Sequence, residues 1–512
     1  MDEEASMGGQ DEGSTEHDGR ASKPAGQGHR TGRQAIVLVH GMGEQIPMDT
    51  IKGFARTVWR ELPWSTKSED ANEIWSKPDP TTGSLELRRL TTRKSAEGGN
   101  YPDGVRTDFY ELYWADLTAG STWEQFVSWV RYLLFRPLSK VPEAVRPAWF
   151  LLWFLSALAV ALALLSVLPE SIWNKIGPDW ARGVVLAVVA ALTATVHNLA
   201  TKSFGRVVRY TRAQPDNIAA RAAVRERGLA LLRALHKGDK YDRVILVAHS
   251  LGTILAYDLV TYFWAEREEA RSFPTSSASF AALQKLELAA AALDAVIVKA
   301  QASGTTARLT LGQCNTIRAG KEFLRFRQAQ AELRRTMRDP AKLSSNWLIS
   351  DFITLGSPLT HAEFLLARDW SDLLSRQSQR EVPTSPPVRE ELEPRTLAIA
   401  KKLGGFPIES DERNSRLLSF PTRKNPPEWS LHHGAAFAVV RWTNVFDRSR
   451  YVFQGDLISG PLGPSFGPAI EDIDLADLDG QSTRFTHTRY WQETASPERL
   501  KLLCKAMNIL DT

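Results

Sequence analysis

Cysteine is almost missing from this chain: Cys314 and Cys504 are the only two in 512 residues, far apart and without paired spacing. That argues against a disulfide framework and against a thiolate metal site, and it fits a reducing compartment. A strong charge of either sign is missing too. The 63 Lys and Arg are offset by 59 Asp and Glu, leaving +4, and the two signs are interleaved. A nucleic-acid surface is therefore not expected. Residues 1–33 hold almost nothing to bury, which predicts a disordered polar tail. They also lack an apolar stretch behind a basic start, so no secretory signal is read there. The acidic run Asp472, Asp474, Asp477 and Asp479 lacks the glycine and glutamate of a calcium loop, and it reads as solvated loop. No internal repeat is present, and no metal or organic cofactor is expected.

What the chain does have is two long uncharged runs. Residues 148–168 contain no charge and, as a helix, would span a hydrocarbon core of about 30 Å. Residues 183–200 form a second, shorter run carrying Thr193, Thr195, His197 and Asn198. The 16 tryptophans include Trp149, Trp153, Trp173 and Trp180 near the ends of these runs, where an aromatic belt would sit. Arg131, Arg136, Lys140 and Arg146 precede the first run, and Lys202, Arg206, Arg209 and Arg212 follow the second. The connection between them carries only Lys175 and Arg182 against Glu170 and Asp179. This asymmetry predicts a transmembrane helical hairpin over 148–200 with both outer flanks cytoplasmic.

The most informative stretch lies after the hairpin. An apolar, β-branched run from Val244 to Val247 ends in Ala248-His249-Ser250-Leu251-Gly252, and helical spacing resumes through Ile254, Leu255 and Leu259. Strand, tight turn and helix with a serine at the apex is the geometry of a nucleophile elbow. A serine hydroxyl needs a base, and the base needs an acid to fix its tautomer. In the chain order Ser, acid, His, the base is His487, which follows the last strong strand. The His432-His433 pair precedes that strand and belongs at the opposite sheet edge, whereas His361 follows a strand end and could line the site. Two aspartates could serve as acid, Asp447 at the exit of the 437–446 strand and Asp456 in the loop beyond it. Two amides are candidates for an oxyanion hole. One is Leu251, directly after the serine. The other is Met42, in the His40-Gly41-Met42-Gly43 turn that ends the strand over 35–39.

Four segments together resemble the α/β-hydrolase superfamily, and within it the lipase-like group that includes GPI inositol-deacylase-type and DDHD-type phospholipases. They are Val39-His40-Gly41-Met42-Gly43, Val247-Ala248-His249-Ser250-Leu251-Gly252, Thr354-Leu355-Gly356-Ser357-Pro358-Leu359 and Trp442-Thr443-Asn444-Val445-Phe446. The resemblance implies an α/β fold with a mostly parallel sheet and helices on both faces, and a serine ester hydrolase with Ser250 as nucleophile. The Asp456-Leu457-Ile458-Ser459-Gly460 segment resembles the loop that carries the family's acid, and His487 followed by Tyr490-Trp491 resembles its histidine segment. The implied triad is Ser250, His487 and Asp456. Ala248 stands where such sequences often have glycine, and Arg450 where related lipases often have an aspartate.

The expected organisation is a first hydrolase part at 34–147, the hairpin at 148–200, and the remainder at 201–512. That remainder would carry a helical insertion at 281–337 and a Pro-rich surface excursion at 383–427. The expected activity is a membrane-anchored, lipase- or phospholipase-like serine esterase acting through an acyl-enzyme on a lipid or other ester. The alternative is a catalytically inactive relative of the fold serving as a membrane interaction scaffold.

Overall fold

In the computed structural model the chain is described over most of residues 31–512. Outside the described residues lie 1–30, 43–45, 61–73, most of 119–145, most of 170–177, 200–214, 303–307, 339–345, 411–414, 450–453, 493–495 and some isolated positions. The expected polar tail and most of the basic flanks of the hairpin fall there.

Among the described residues, one sheet of eight strands organises the chain: β1 (Arg33–Val39), β2 (Ile74–Pro78), β3 (Arg88–Lys94), β4 (Arg106–Leu112), β5 (Arg243–His249), β6 (Ile349–Leu355), β7 (Arg441–Phe446) and β8 (Glu471–Asp474). The order across the sheet is β8-β7-β6-β5-β1-β4-β3-β2. The six strands from β8 to β4 run parallel, and β3 and β2 close one side antiparallel. β5 and β6 are buried at every position. That is why the middle of β5 reads as a continuous apolar run with no alternation: a parallel sheet is covered on both faces.

The covering helices fall on two sides. α1 (Asp49–Arg60) and, near the C-terminus, the helix Pro497–Met507 pack on one face, with Phe54, Val58, Leu503 and Met507 against Ile245, Ile353 and Val445. On the other face lie α4 (Pro215–His236), α5 (Gly252–Glu266), α6 (Ala278–Ala302), α7 (Leu311–Arg318) and α8 (Lys321–Thr336). The helical character expected over 281–337 is present in α6 to α8, whose Leu286, Leu293, Phe326 and Leu333 are buried in that core.

Between β4 and α4 stand α2 (Arg146–Ser166) and α3 (Asp179–Leu199), which pack against each other. Asp179 and Arg182, read from sequence as connecting loop, belong to the first turn of α3. Phe150, Phe154, Leu164, Trp180 and Val184 of this pair are each more than half exposed. Taken over described residues alone, no helix is long and apolar enough to cross a membrane. Both helices contain positions whose side chains lie outside the described set.

Two local readings are corrected. The 383–427 stretch is not a surface excursion throughout. Leu417 and Leu418 are buried, and the buried Glu287 carboxylate of α6 accepts from the Leu418 amide and the Ser419 hydroxyl. The acidic run is likewise not simply solvated. Asp472 is buried in β8 and accepts from the Leu462 and Gly463 amides and from Asn444, so its charge orders a turn.

A buried histidine ties α4 to the sheet. His236 Nε2 accepts the Leu348 amide at 3.0 Å, and its Nδ1 lies 2.8 Å from the Leu232 carbonyl. An amide can only donate, so Nε2 is unprotonated and Nδ1 carries the hydrogen. Burial, with the nearby Arg267 charge, pulls the imidazole down to about 3. The folded state therefore holds fewer protons than the unfolded chain below pH 6.5. Stability from this residue is present above 6.5 and is lost as pH falls toward 3. We expect a loss of about 1.4 kcal/mol per pH unit between pH 6 and 4, absent in His236→Gln and read from urea midpoints.

Candidate active site

Five loops meet at the carboxyl edge of the parallel sheet, and the serine stands on the sharpest of them. Ser250 follows β5 and precedes α5, with φ of 53°. A non-glycine residue in this left-handed region costs roughly 1 kcal/mol or more. The neighbours hold it there. The Ser250 amide donates to the Leu355 carbonyl at 3.0 Å, and the Ser250 carbonyl accepts the Thr253 amide at 2.9 Å. Close approach explains the glycine two residues on: a Cβ at Gly252 would lie 2.4 Å from the His40 carbonyl oxygen. Ala248, deep in β5, is fully buried and its methyl is accommodated.

Ser250 Oγ lies 2.7 Å from His487 Nε2. On the other side of the ring, His487 Nδ1 lies 2.9 and 3.0 Å from the two carboxylate oxygens of Asp456. A carboxylate can only accept, so Nδ1 carries the hydrogen and Nε2 presents its lone pair to the serine hydroxyl. All three side chains are nearly inaccessible, with Ser250 4%, His487 5% and Asp456 0% exposed. Burial alone would push the Asp456 carboxyl up. The hydrogen bond and charge of His487 and the Tyr490 hydroxyl outweigh it and hold the group below its ordinary value. Tyr490 Oη donates to Asp456 Oδ2 at 2.7 Å, and the Ile458 amide donates to Oδ1 at 3.0 Å.

Two further residues brace His487. His249 Nε2–H donates to the His487 carbonyl at 2.7 Å, and burial pulls its imidazole down to about 3, keeping it neutral. Gly356, at the end of β6 with φ of 59°, lies under the His487–Asp456 pair. A Cβ there would meet Tyr490 Cε2 at 2.7 Å and Asp456 Oδ2 at 3.1 Å. The Gly356-Ser357-Pro358 signature thus marks the floor of the site.

The Gly41 backbone runs directly against the serine, where an added Cβ would come within 2.8 Å of Ser250 Cβ. The next amide is Met42. His40 sets its direction. The Trp114 amide donates to His40 Nε2 at 3.2 Å, so the other nitrogen, Nδ1, carries the hydrogen and donates to the Gly41 carbonyl at 2.7 Å. That carbonyl and the Met42 N–H share one planar trans peptide and point in opposite directions. Fixing one fixes the other. The Leu251 amide opens the first turn of α5, where the helix dipole favours negative charge. Among the described residues neither amide has a hydrogen-bond partner, which leaves both free to serve a ligand oxygen.

Asp447 is elsewhere. It is buried against Arg499 at 2.9 Å and the Ser482 hydroxyl at 2.7 Å, not against His487. His432 is buried too, between the Val388 carbonyl and the Gly434 amide. His361 does come close to the acid loop, bonded to the Leu457 backbone, and burial pulls it down to about 4. Tyr490, His249, His40 and Gly356 were not singled out as site residues from sequence. The one signal available was that each lies within or beside a quoted motif. Among the described residues no group of three or more metal-ligating side chains converges. No family model, curated protein or solved structure matches the chain.

Proposed function

We propose that the chain is a serine ester hydrolase of α/β-hydrolase type, held at a membrane by the α2–α3 pair and acting on a lipid ester. The observation that carries the reading is the continuous Ser250–His487–Asp456 hydrogen-bonded chain. Ser250 Oγ attacks the ester carbonyl carbon while its proton passes to His487 Nε2. The carbonyl oxygen becomes an oxyanion facing the Met42 and Leu251 N–H groups. His487 then returns the proton to the departing alcohol, and water attacks the acyl-enzyme with His487 again as base. Asp456 keeps the Nδ1–H tautomer and offsets the imidazolium charge. The membrane part of the reading rests on the exposed apolar side chains of α2 and α3, and on the basic flanks on either side of them in the sequence. By that charge asymmetry the catalytic domain and both flanks face the cytoplasm.

A fluorophosphonate probe tests the proposal directly. Folded protein should be labelled, the label should map to the peptide containing Ser250, and heat-unfolded protein should stay unlabelled. Folded protein that resists the probe would favour the scaffold reading. His40 supplies a finer test, because its ring also stacks on Trp114 at 5.4 Å. His40→Phe retains that stacking surface but removes the bond to the Gly41 carbonyl. We expect kcat on a soluble short-chain ester to fall about 10–100-fold, roughly 1.4–3 kcal/mol, with KM little changed. An unaltered kcat would remove His40 from the argument.

A further inference from the structure

At the opposite, amino edge of the sheet lies a cavity of about 380 Å³, between α8, the starts of β6 and β7, and the C-terminal residues Asn508 to Thr512. It is separate from the triad. Asp351 at the start of β6 lines it, whereas Leu355 at the end of that strand accepts the Ser250 amide. At about 3.3 Å per residue the two sites lie roughly 13 Å apart along the strand. The volume is at the lower end of the range that takes small organic ligands.

Four guanidinium groups line this cavity: Arg318, Arg327, Arg334 and Arg441. Three carboxylates face it as well, and most of the charge is already matched. Arg441 pairs with Asp351 at 2.7 Å, Arg334 with Asp511, and the buried Arg243 reaches both acids at 3.6 and 3.0 Å. Arg318 leans toward Asp472 at 3.8 Å. Arg327 is the exception. Its polar contact is the neutral Gln330 Oε1 at 2.9 Å, and Gln330 is fixed in turn by the Phe437 and Val440 carbonyls. Among the described residues no carboxylate lies within ion-pair distance of Arg327, and no cation within that distance of Glu471. The site thus presents a guanidinium with no close ion pair and with Nη2 buried and unpartnered, in the same small volume as the Glu471 carboxylate. Burial and the neighbouring Arg441 charge bring the Arg327 guanidinium down to about 10, outweighing the opposite pull of the Glu471 and Asp351 carboxylates.

We infer that this cavity binds a small phosphate monoester bearing hydroxyl groups, with Arg327 on the phosphate and Glu471 on a hydroxyl. The guanidinium fork matches two phosphate oxygens, and the carboxylate can only accept from a hydroxyl. Such a ligand would join α8, the sheet edge and the C-terminal residues 508–512, and it does not depend on the reading of Ser250.

Calorimetric titration of the full chain with glycerol 3-phosphate is the test. Saturable one-site binding is expected, about tenfold weaker in Arg327→Gln, as befits loss of one charge-assisted contact. Glu471→Gln removes the negative charge facing the phosphate and should tighten binding of inorganic phosphate. That variant also decides the matter if Arg327→Gln does not fold. Flotation with phosphatidic acid vesicles, compared with phosphatidylcholine alone, assigns the source. An Arg327-dependent gain with phosphatidic acid indicates a lipid headgroup, and titration binding without that gain indicates a soluble ester. No saturable binding in any arm, or binding indifferent to both substitutions, would overturn the inference.

Discussion

Ser250→Ala and His487→Ala should each lower kcat for ester hydrolysis about 10⁶-fold, and the double variant should be no worse than either alone. The reason lies in the geometry. With 2.7 Å between Ser250 Oγ and His487 Nε2, proton loss and nucleophilic attack belong to one event, so removing either partner removes the whole step. What survives is the contribution of the two amides, which can still polarise a bound carbonyl toward attack by water. Additive losses would mean that the two side chains act separately and that the hydrogen bond between them is incidental. Steady-state kinetics on a p-nitrophenyl ester, with active sites counted in the wild type by burst titration, reads the difference. Neither substitution removes a large buried apolar surface, so urea midpoints should move little and loss of fold can be separated from loss of chemistry.

The elbow was legible in the sequence because every level agreed there. The β-branched run of β5, the small residues at 248 and 252, and the helical spacing after 253 all require the same strand, turn and helix. His487 was placed by chain order alone, as the histidine that follows the last strong strand in the order serine, acid, histidine, and its ring does reach Ser250. The bracing residues were not. Gly356 earns its place only by what surrounds it, three side chains brought from 100 or more residues away. His40 and His249 both lie inside quoted motifs, yet their work is done through backbone carbonyls that no spacing rule reports. The acidic run misled for a related reason. Charge in a row reads as solvent-facing, but Asp472 is stabilised by the Leu462 and Gly463 amides of a loop and by Asn444, its partner across the sheet on β7. The 383–427 stretch was misread in the same way, its Pro and Arg content masking the buried Leu417 and Leu418, the second of which donates its amide to a buried glutamate of α6.

Asp456→Asn and Asp447→Asn should separate cleanly, one losing rate and the other losing stability. At Asp456 the amide keeps the shape of the carboxyl but presents an N–H₂ group beside the Nδ1–H of His487. The imidazole is then driven toward the tautomer whose Nε2 carries the hydrogen and cannot accept from Ser250. We expect kcat to fall about 10⁴-fold at neutral pH, as the loss of a tautomer-fixing acid does elsewhere. Tyr490 sharpens the test, because its hydroxyl also donates to Asp456. Both carboxylate oxygens lie within 3.0 Å of His487 Nδ1, so either orientation of an asparagine sets its NH₂ beside the ring, and Tyr490→Phe should restore none of the rate to Asp456→Asn. At Asp447 the carboxylate instead neutralises a largely buried guanidinium, Arg499 on the C-terminal helix, with the Ser482 hydroxyl as second partner. Removing one member of such a pair leaves an uncompensated charge in the interior, which costs about 3–5 kcal/mol. Asp447→Asn should therefore unfold at a clearly lower urea concentration while its folded fraction keeps kcat within a few-fold of wild type. The reverse pattern, a fast Asp456→Asn and a dead but stable Asp447→Asn, would mean that the loop carrying Asp456 rearranges when the site is occupied and hands the histidine to the other acid.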